Sequence, residues 1–354
     1  MKTKLWQLGL GLVPLAALAA VLPGCDGQGT GPTRIRLSLV LGDTSEWYQG
    51  AMRWKELVEE RTKGRYVVEI IPNSSRSNHS QSQELQDVQG GRLEASLEST
   101  ILLSTVETKW AVFSYPWLFP SHAIAGAVCG GPMGEEMMEL LMDRNIVGLA
   151  YGTNGFRQIT NSVRPIRKAE DLQGLKIRVP QGLPPQLFEH FGASAHQMNF
   201  GDLVVALRTG DMHGQENPLS VIQSTKLFSV QKYVTLWNYV YDPIVLCVNR
   251  DFWYRLPGPD QKILRDCAHE AMAFERGLVA EADSTLPAKL EAAGMEAVRL
   301  TEVEKDTFRA KAMGLRPVFE EMVGADLLRR LEAAVKDEVE KARLKALEEA
   351  DEAR

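Results

Sequence analysis

The chain has 354 residues, 44% hydrophobic and 24% charged, with 40 Lys and Arg against 46 Asp and Glu for a net charge of −6. A mildly acidic balance without long basic runs leaves no electrostatic footprint for nucleic acid. The length is ample for two domains.

Residues 1–24 read as a targeting segment. Lys2 and Lys4 form a basic start, residues 5–22 are apolar but interrupted by Gly9, Gly11 and Pro14, and Leu22-Pro23-Gly24-Cys25 resembles a lipoprotein cleavage box. Cleavage makes Cys25 the lipidation site and takes the net charge to −8 by removing the two lysines. An uncleaved anchor is the alternative, which the Gly and Pro interruptions disfavour. Asp26 resembles a signal for retention at the inner membrane, and residues 25–32, with three glycines, read as a tether.

Residues 35–41 predict a buried strand, and Trp47, Ala51, Trp54, Leu57 and Val58 recur at helical spacing up to Gly64. A strand at 66–71 and a helix opening at Ser80 and closing at Gly90-Gly91 follow, then a third strand at 93–97 with a loop at 98–100. This β-α-β-α order indicates a mainly parallel sheet. Ligands of such sheets lie at the C-terminal strand ends, which points to residues 43–47, with Trp47, and 98–100, with Glu98. A helix is expected over 122–142, its Met133, Met137, Met138 and Met142 stripe belonging to the core, before a strand at 146–151.

Arg157 and Arg178 each sit in a short β-like run, with turn residues Pro165 and Gly174 between them that return the chain beside itself. Two guanidinium forks facing one cleft suit a small organic anion. The plainer alternative is two surface arginines on adjacent strands. Short helices are predicted at 184–190 and 201–207 and strands at 233–239 and 243–248. Residues 259–289 read as one helix of about 45 Å. Residues 326–354 read as a solvated charged helix, or else a partner-binding one. Trp47, Trp237, Tyr239 and Tyr241 suggest a small aromatic cleft, though each also suits a core.

Signals for catalysis are missing: there is no Gly-x-Ser-x-Gly elbow, no phosphate loop, and the six histidines are scattered singly, so no enzyme, metal site or cofactor is expected. Cys129, Cys247 and Cys267 read as reduced core residues.

The two-arginine segment, Met198-Asn199-Phe200, Asp211-Met212-His213-Gly214-Gln215-Glu216-Asn217-Pro218 and Val230-Gln231-Lys232-Tyr233 together resemble the solute-binding proteins of tripartite ATP-independent periplasmic (TRAP) transporters, of the DctP type, over residues 33–290. The resemblance implies a two-domain, periplasmic-binding-protein-like α/β fold with mainly parallel sheets, crossing strands and a long spine helix. Domain I would take 33–154 plus 243–283 and domain II 155–242 plus 284–325, with a charged helix at 326–354. It implies Arg178 as the main carboxylate partner, Arg157 as a second basic contact, Asn217 as a polar contact and Phe200 as an apolar wall. Glu98, Trp47 and Trp237 complete the expected binding set. His213 departs from the family, which commonly has Asp there, and makes the turn before Asn217 less certain. Residues 113–120 resemble a family segment that packs in the core and near the hinge.

The implied function is capture of a small organic anion in the periplasm and delivery to the small and large subunits of a membrane permease, the protein itself held at the inner membrane by its lipid anchor. A C4-dicarboxylate is the family default; a sugar acid, a keto acid or a short sulfonate such as isethionate stays open, because an Arg fork takes carboxylate and sulfonate alike. A ligand-sensing lipoprotein for a signalling receptor and an extracytoplasmic enzyme on organic acids are the alternatives.

Overall fold

The computed structural model describes residues 31–352, so the expected leader, Cys25 and most of the tether lie outside the described residues. In β1 (Thr33–Leu39), Ile35, Leu37 and Leu39 recur at the strand period of two and are fully buried. Helix α1 (Glu46–Arg61) opens at Ser45, whose hydroxyl accepts the Tyr48 N–H, and buries the expected Trp47, Ala51, Trp54, Leu57 and Val58. Strand β2 (Tyr66–Ile71), helix α2 (Gln81–Gln89, capped by Ser80) and β3 (Ala95–Ser99) complete the β-α-β-α start, with β1 parallel to both β2 and β3. The third strand runs two residues later than expected. Its pairing with residues 244–248 continues through Glu98 and Ser99, and Thr100 already begins α3 (Thr100–Leu103).

The helix expected over 122–142 is two helices, α4 (His122–Cys129) and α5 (Pro132–Glu139), because Gly130-Gly131-Pro132 ends one and starts the next. Next come β4 (Ile146–Asn161), β5 (Lys176–Val179), α6 (Gln186–Glu189), β6 (Ser194–Gln197), α7 (Phe200–Thr209), β7 (Gly214–Pro218), α8 (Leu219–Ser224), β8 (Tyr233–Asn249) and α9 (Arg250–Arg255). The chain then forms α10 (Gly258–Ala292), β9 (Glu296–Arg299), α11 (Glu302–Ala312), α12 (Arg316–Val323) and α13 (Ala325–Glu352).

One nine-stranded sheet results, ordered β2-β1-β3-β8-β4-β7-β5-β6, with β9 also on β8. Its middle is an antiparallel pair of long strands, β4 with 16 residues and β8 with 17. Each merges two segments that the sequence pattern separates. The N-terminal half of β4 and the C-terminal half of β8 belong to the β1-β2-β3 end, and their other halves to the β5-β6-β7-β9 end. Their register slips at Gly148/Ala150, Thr153/Gly155 and Arg157/Ile159, so the crossing strands bend between the two ends. Arg157 on β4 and Arg178 on β5 are not on adjacent strands, since β7 lies between them. Cys129, Cys247 and Cys267 are free and buried.

The 35 residues of α10 give a rod of about 50 Å that packs on α1 and β4. Two glycines permit this approach. A Cβ on Gly50 of α1 would meet Glu275 Cβ at 2.9 Å, and one on Gly152 of β4 would meet Glu275 Oε2 at 2.7 Å. Fully buried, Glu275 accepts the Thr153 N–H at 2.9 Å beside the central register slip. Burial pushes its carboxyl up to about 8, against the smaller pull of that hydrogen bond. An unfolded Glu releases its proton near pH 4.3, so the native state holds one more proton between there and about pH 8, and stability falls as pH rises through that window. Glu275→Gln should remove this slope, melting higher than the parent at pH 8 and close to it at pH 5. Equal melting differences at both pH values would contradict the assignment.

Candidate functional site

Arg157 and Arg178 both line a narrow cleft between the two ends of the sheet, with about 420 Å³ of empty space counting its open mouth. Val40, Leu41, Trp47, Gln81, Ser99 and Ile101 face it from the N-terminal end, and Asn154, Pro180, Gln181, Phe200, Asn217 and Val221 from the other.

The two arginines differ in kind. Arg157, 2% exposed, is saturated by protein: its Nη2 donates to Glu216 Oε1 at 2.8 Å, to the Glu216 carbonyl at 3.0 Å and to Asn217 Oδ1 at 3.1 Å, its Nη1 to Asp242 Oδ2 at 2.6 Å, and its Nε to Glu216 Oε2. Burial works against its charge, and Glu216 and Asp242 outweigh that, holding the guanidinium above its ordinary value. Tyr239 Oη donates to Glu216 at 2.7 Å, while Ser99 Oγ at 2.6 Å and Asn154 Nδ2 at 2.8 Å donate to Asp242, so this network ties β3, β4, β7 and β8 together.

Arg178 is 1% exposed and, among the described residues, has no carboxylate within ion-pair distance. Its Nε and Nη2 donate to the Met198 carbonyl at 3.0 and 2.6 Å, which fixes the fork, and its Cζ lies 5.8 Å from the centre of the Phe200 ring. Burial pushes this guanidinium down to about 10, with Glu216 pulling it back only in part. A buried cation without a counter-charge is costly, and a ligand anion supplies one. Two further polar atoms of lining residues have no partner among the described residues, the Trp47 Nε1 donor and the Asn154 Oδ1 acceptor.

The profile of the bacterial extracellular solute-binding proteins of family 7, DctP, matches residues 37–324. This chain belongs to the DctP family. A solute-binding protein of Verminephrobacter eiseniae is 32% identical over 304 residues, covering 85% of this chain and 89% of the relative. A TRAP periplasmic solute-binding protein from Ralstonia eutropha H16, solved with bound (S)-2-acetolactate, shares 34% identity with a TM-score of 0.82, covering 86% of this chain and 99% of that one. The sugar acid binding protein of Advenella mimigardefordensis, in complex with galactonate, shares 28% identity with a TM-score of 0.84, covering 87% and 99%. The α/β architecture with its central sheet and long helix is thus the TRAP solute-binding fold.

Within this DctP chain, Arg178, Arg157, Asn217, Phe200 and Trp47 come together at the cavity, and Glu98 and Trp237 do not. Trp237 is 1% exposed and packs edge-on against Trp117 and Phe308 in the aromatic core, as Tyr239 does against Phe188. Glu98 points to the opposite side of β3 from the neighbouring Ser99, and burial, followed by repulsion from Glu84, holds its carboxyl well above the ordinary range. Asn217 is engaged internally, accepting from Arg157 and donating to Gln215 Oε1. His213 keeps the turn before it in place, its Nδ1 accepting the Lys176 N–H at 3.1 Å and its own N–H reaching the Lys176 carbonyl at 2.9 Å.

Sequence reasoning missed Asn154, Gln81, Gln181 and the two carboxylates that neutralise Arg157, whereas Ser99 lies within the expected 98–100 contact. Glu216 stands inside a motif singled out for its asparagine, and Asp242 precedes Pro243 with no local signal. The two ends also touch at Gly182, whose carbonyl accepts Ser104 Oγ at 3.0 Å. A Cβ there would lie 1.9 Å from the Ile101 carbonyl, at φ +90°. Gly182→Ala should therefore leave a folded protein whose ligand affinity falls by at least about tenfold, the clash arising only where the ends meet. Gly174→Ala is the control: φ is +73° but nothing lies within 4 Å, so calorimetry should find its binding unchanged.

Proposed function

We propose that this protein is the extracytoplasmic binding component of a TRAP transporter whose cargo is a small 2-hydroxy monocarboxylate. The observation that carries this reading is Arg178, a fully buried guanidinium fork that lines the cleft and has no counter-charge among the described residues. The ligand carboxylate completes the fork. Trp47 Nε1 and Asn154 Oδ1, one donor and one acceptor, suit a hydroxyl, which needs both. Acetolactate and galactonate, the ligands of the two solved relatives, each carry a hydroxyl on the carbon next to the carboxylate.

Net charge favours a monoanion over a C4-dicarboxylate. Among the described residues, the only charged lining residues are Arg157 and Arg178, and Arg157 is already matched by Glu216 and Asp242. One cation is left for the ligand, and a second carboxylate would enter the cavity unpaired. Residues 33–154 plus 243–283 and 155–242 plus 284–325 act in this reading as two lobes that close over the anion by bending β4 and β8 at their register slips. The closed form is then presented to the small and large permease subunits, with the protein held at the membrane by a lipid on Cys25. Cell fractionation checks the anchor: Cys25→Ala should move to the soluble pool.

A thermal-shift panel with calorimetry tests the cargo, using acetolactate, galactonate, succinate, isethionate and the 2-deoxy analogue of any binder. A ligand selective for the native state adds about 2.7 kcal/mol at a hundredfold excess over Kd. A 2-hydroxy monocarboxylate should raise the melting temperature and be recovered chemically unchanged, and its 2-deoxy analogue should bind more weakly. No response to any carboxylate would defeat the reading; a response to succinate alone would defeat the monocarboxylate assignment.

A further inference from the structure

A second cavity, larger than the first, lies between β4, α4, α5 and α10, with about 1220 Å³ of empty space counting its mouth. Its apolar lining comes from Met138 and Met142, partly exposed, and from Val147, Leu149 and Tyr151 on β4. Facing them, α10 contributes Arg265, His269 and Arg276. Residues four and eleven apart return to nearly the same helix face, so these three form one stripe along the trough, its two arginines about 16 Å apart, while burial and then Arg265 push the His269 imidazole down.

Neither arginine of that stripe has a carboxylate within ion-pair distance among the described residues. Arg265 Nη1 donates to the Gly148 carbonyl at 3.2 Å and its Cζ lies 5.2 Å from the centre of the Trp253 ring, while Arg276 Nη1 donates to the Tyr151 carbonyl. Both guanidiniums are half-buried and held in place by neutral groups. The carboxylates that share the cavity, Glu135 and Glu139 of α5, are exposed at its rim. Asp266 adjoins Arg265 on an exposed position. Among the described residues, this apolar trough is walled by two cations without ion-pair partners and has no counterpart of the unpaired Trp47 and Asn154 groups of the first cavity, which makes it complementary to an anion that carries a hydrocarbon body.

We propose that this cavity is a second ligand site, taking a medium-chain carboxylic acid with its carboxylate on one of the two guanidiniums, Arg265 or Arg276, and its chain over Met138, Met142, Val147 and Leu149. Gly126 of α4 supplies a test that spares the fold. It lines the cavity, its backbone is ordinary helix, and a Cβ built on it meets nothing within 4 Å. Gly126→Phe therefore projects a ring into empty space at a position where glycine is a poor helix former.

The experiment is calorimetric titration of the full chain with octanoate, with octylamine as the charge-reversed control and butyrate as the chain-shortened one. Octanoate should bind the parent and the Arg178→Ala variant equally, since the first cavity is not involved. Binding should be lost in Gly126→Phe and weakened at least about tenfold in the Arg265→Gln, Arg276→Gln double variant, with both proteins melting like the parent. Octylamine and butyrate should not bind. The proposal is overturned if octanoate does not bind at millimolar concentrations, if Gly126→Phe still binds it, or if Arg178→Ala alone abolishes it, which would place octanoate in the first cavity.

Discussion

Arg178→Ala should abolish binding of the organic anion while leaving the empty protein at least as stable as the parent. The two effects have opposite signs because the buried guanidinium has no counter-charge until the ligand arrives. Losing the fork leaves the ligand carboxylate unpaired in a closed cavity, a cost of about 2–5 kcal/mol for a desolvated charge pair. In the empty protein the same truncation removes an unpaired buried cation and leaves only the Met198 carbonyl without its donors. Arg178→Lys should keep some affinity, because an ammonium supplies charge but not two parallel bonds, and it cannot hold Met198 with one edge and the ligand with the other. Calorimetry with the best binder of the organic-acid panel measures the first effect and melting without ligand the second. Parent-like binding by Arg178→Ala would remove the basis of the functional reading.

Local signals were legible in the sequence where one element decided them. The period of β1, the apolar spacing and Ser45 cap of α1, and the uninterrupted run of α10 each specify their element without help from the rest of the chain. What the sequence hid is non-local. Strands 146–151 and 155–161 look separate because Gly152 and Gly155 interrupt the apolar pattern. In the fold those glycines mark the bend of one strand, and Gly152 is small because Glu275 needs the space. Arg157 and Arg178 look equivalent in sequence, each in a short polar-apolar run. Only the arrival of β7 between their strands brings Glu216 onto Arg157 and leaves Arg178 alone. Trp237 and Trp47 look alike for the same reason; which side of a strand or helix faces the cavity depends on pairings more than 70 residues away in sequence.

That inequality between the arginines gives the second large effect, which falls on stability. Arg157→Ala should destabilise the protein by about 3–5 kcal/mol, because it strands two buried carboxylates at once. Glu216 and Asp242 are both fully buried, and Arg157 is the only cation within ion-pair distance of either among the described residues. Out of a typical total of about 5–15 kcal/mol, such a loss is large enough to lower the melting temperature visibly or to prevent folding at growth temperature. A ligand contact would behave otherwise, losing affinity and keeping its fold. The triple variant Arg157→Leu, Glu216→Gln, Asp242→Asn separates the two roles, since it removes all three charges together and should recover much of the lost stability. Denaturant unfolding of parent, single and triple variants is the measurement. A parent-like midpoint for Arg157→Ala, or a triple variant no better than the single, would mean that the Arg157 network is not the tie between the strands described here.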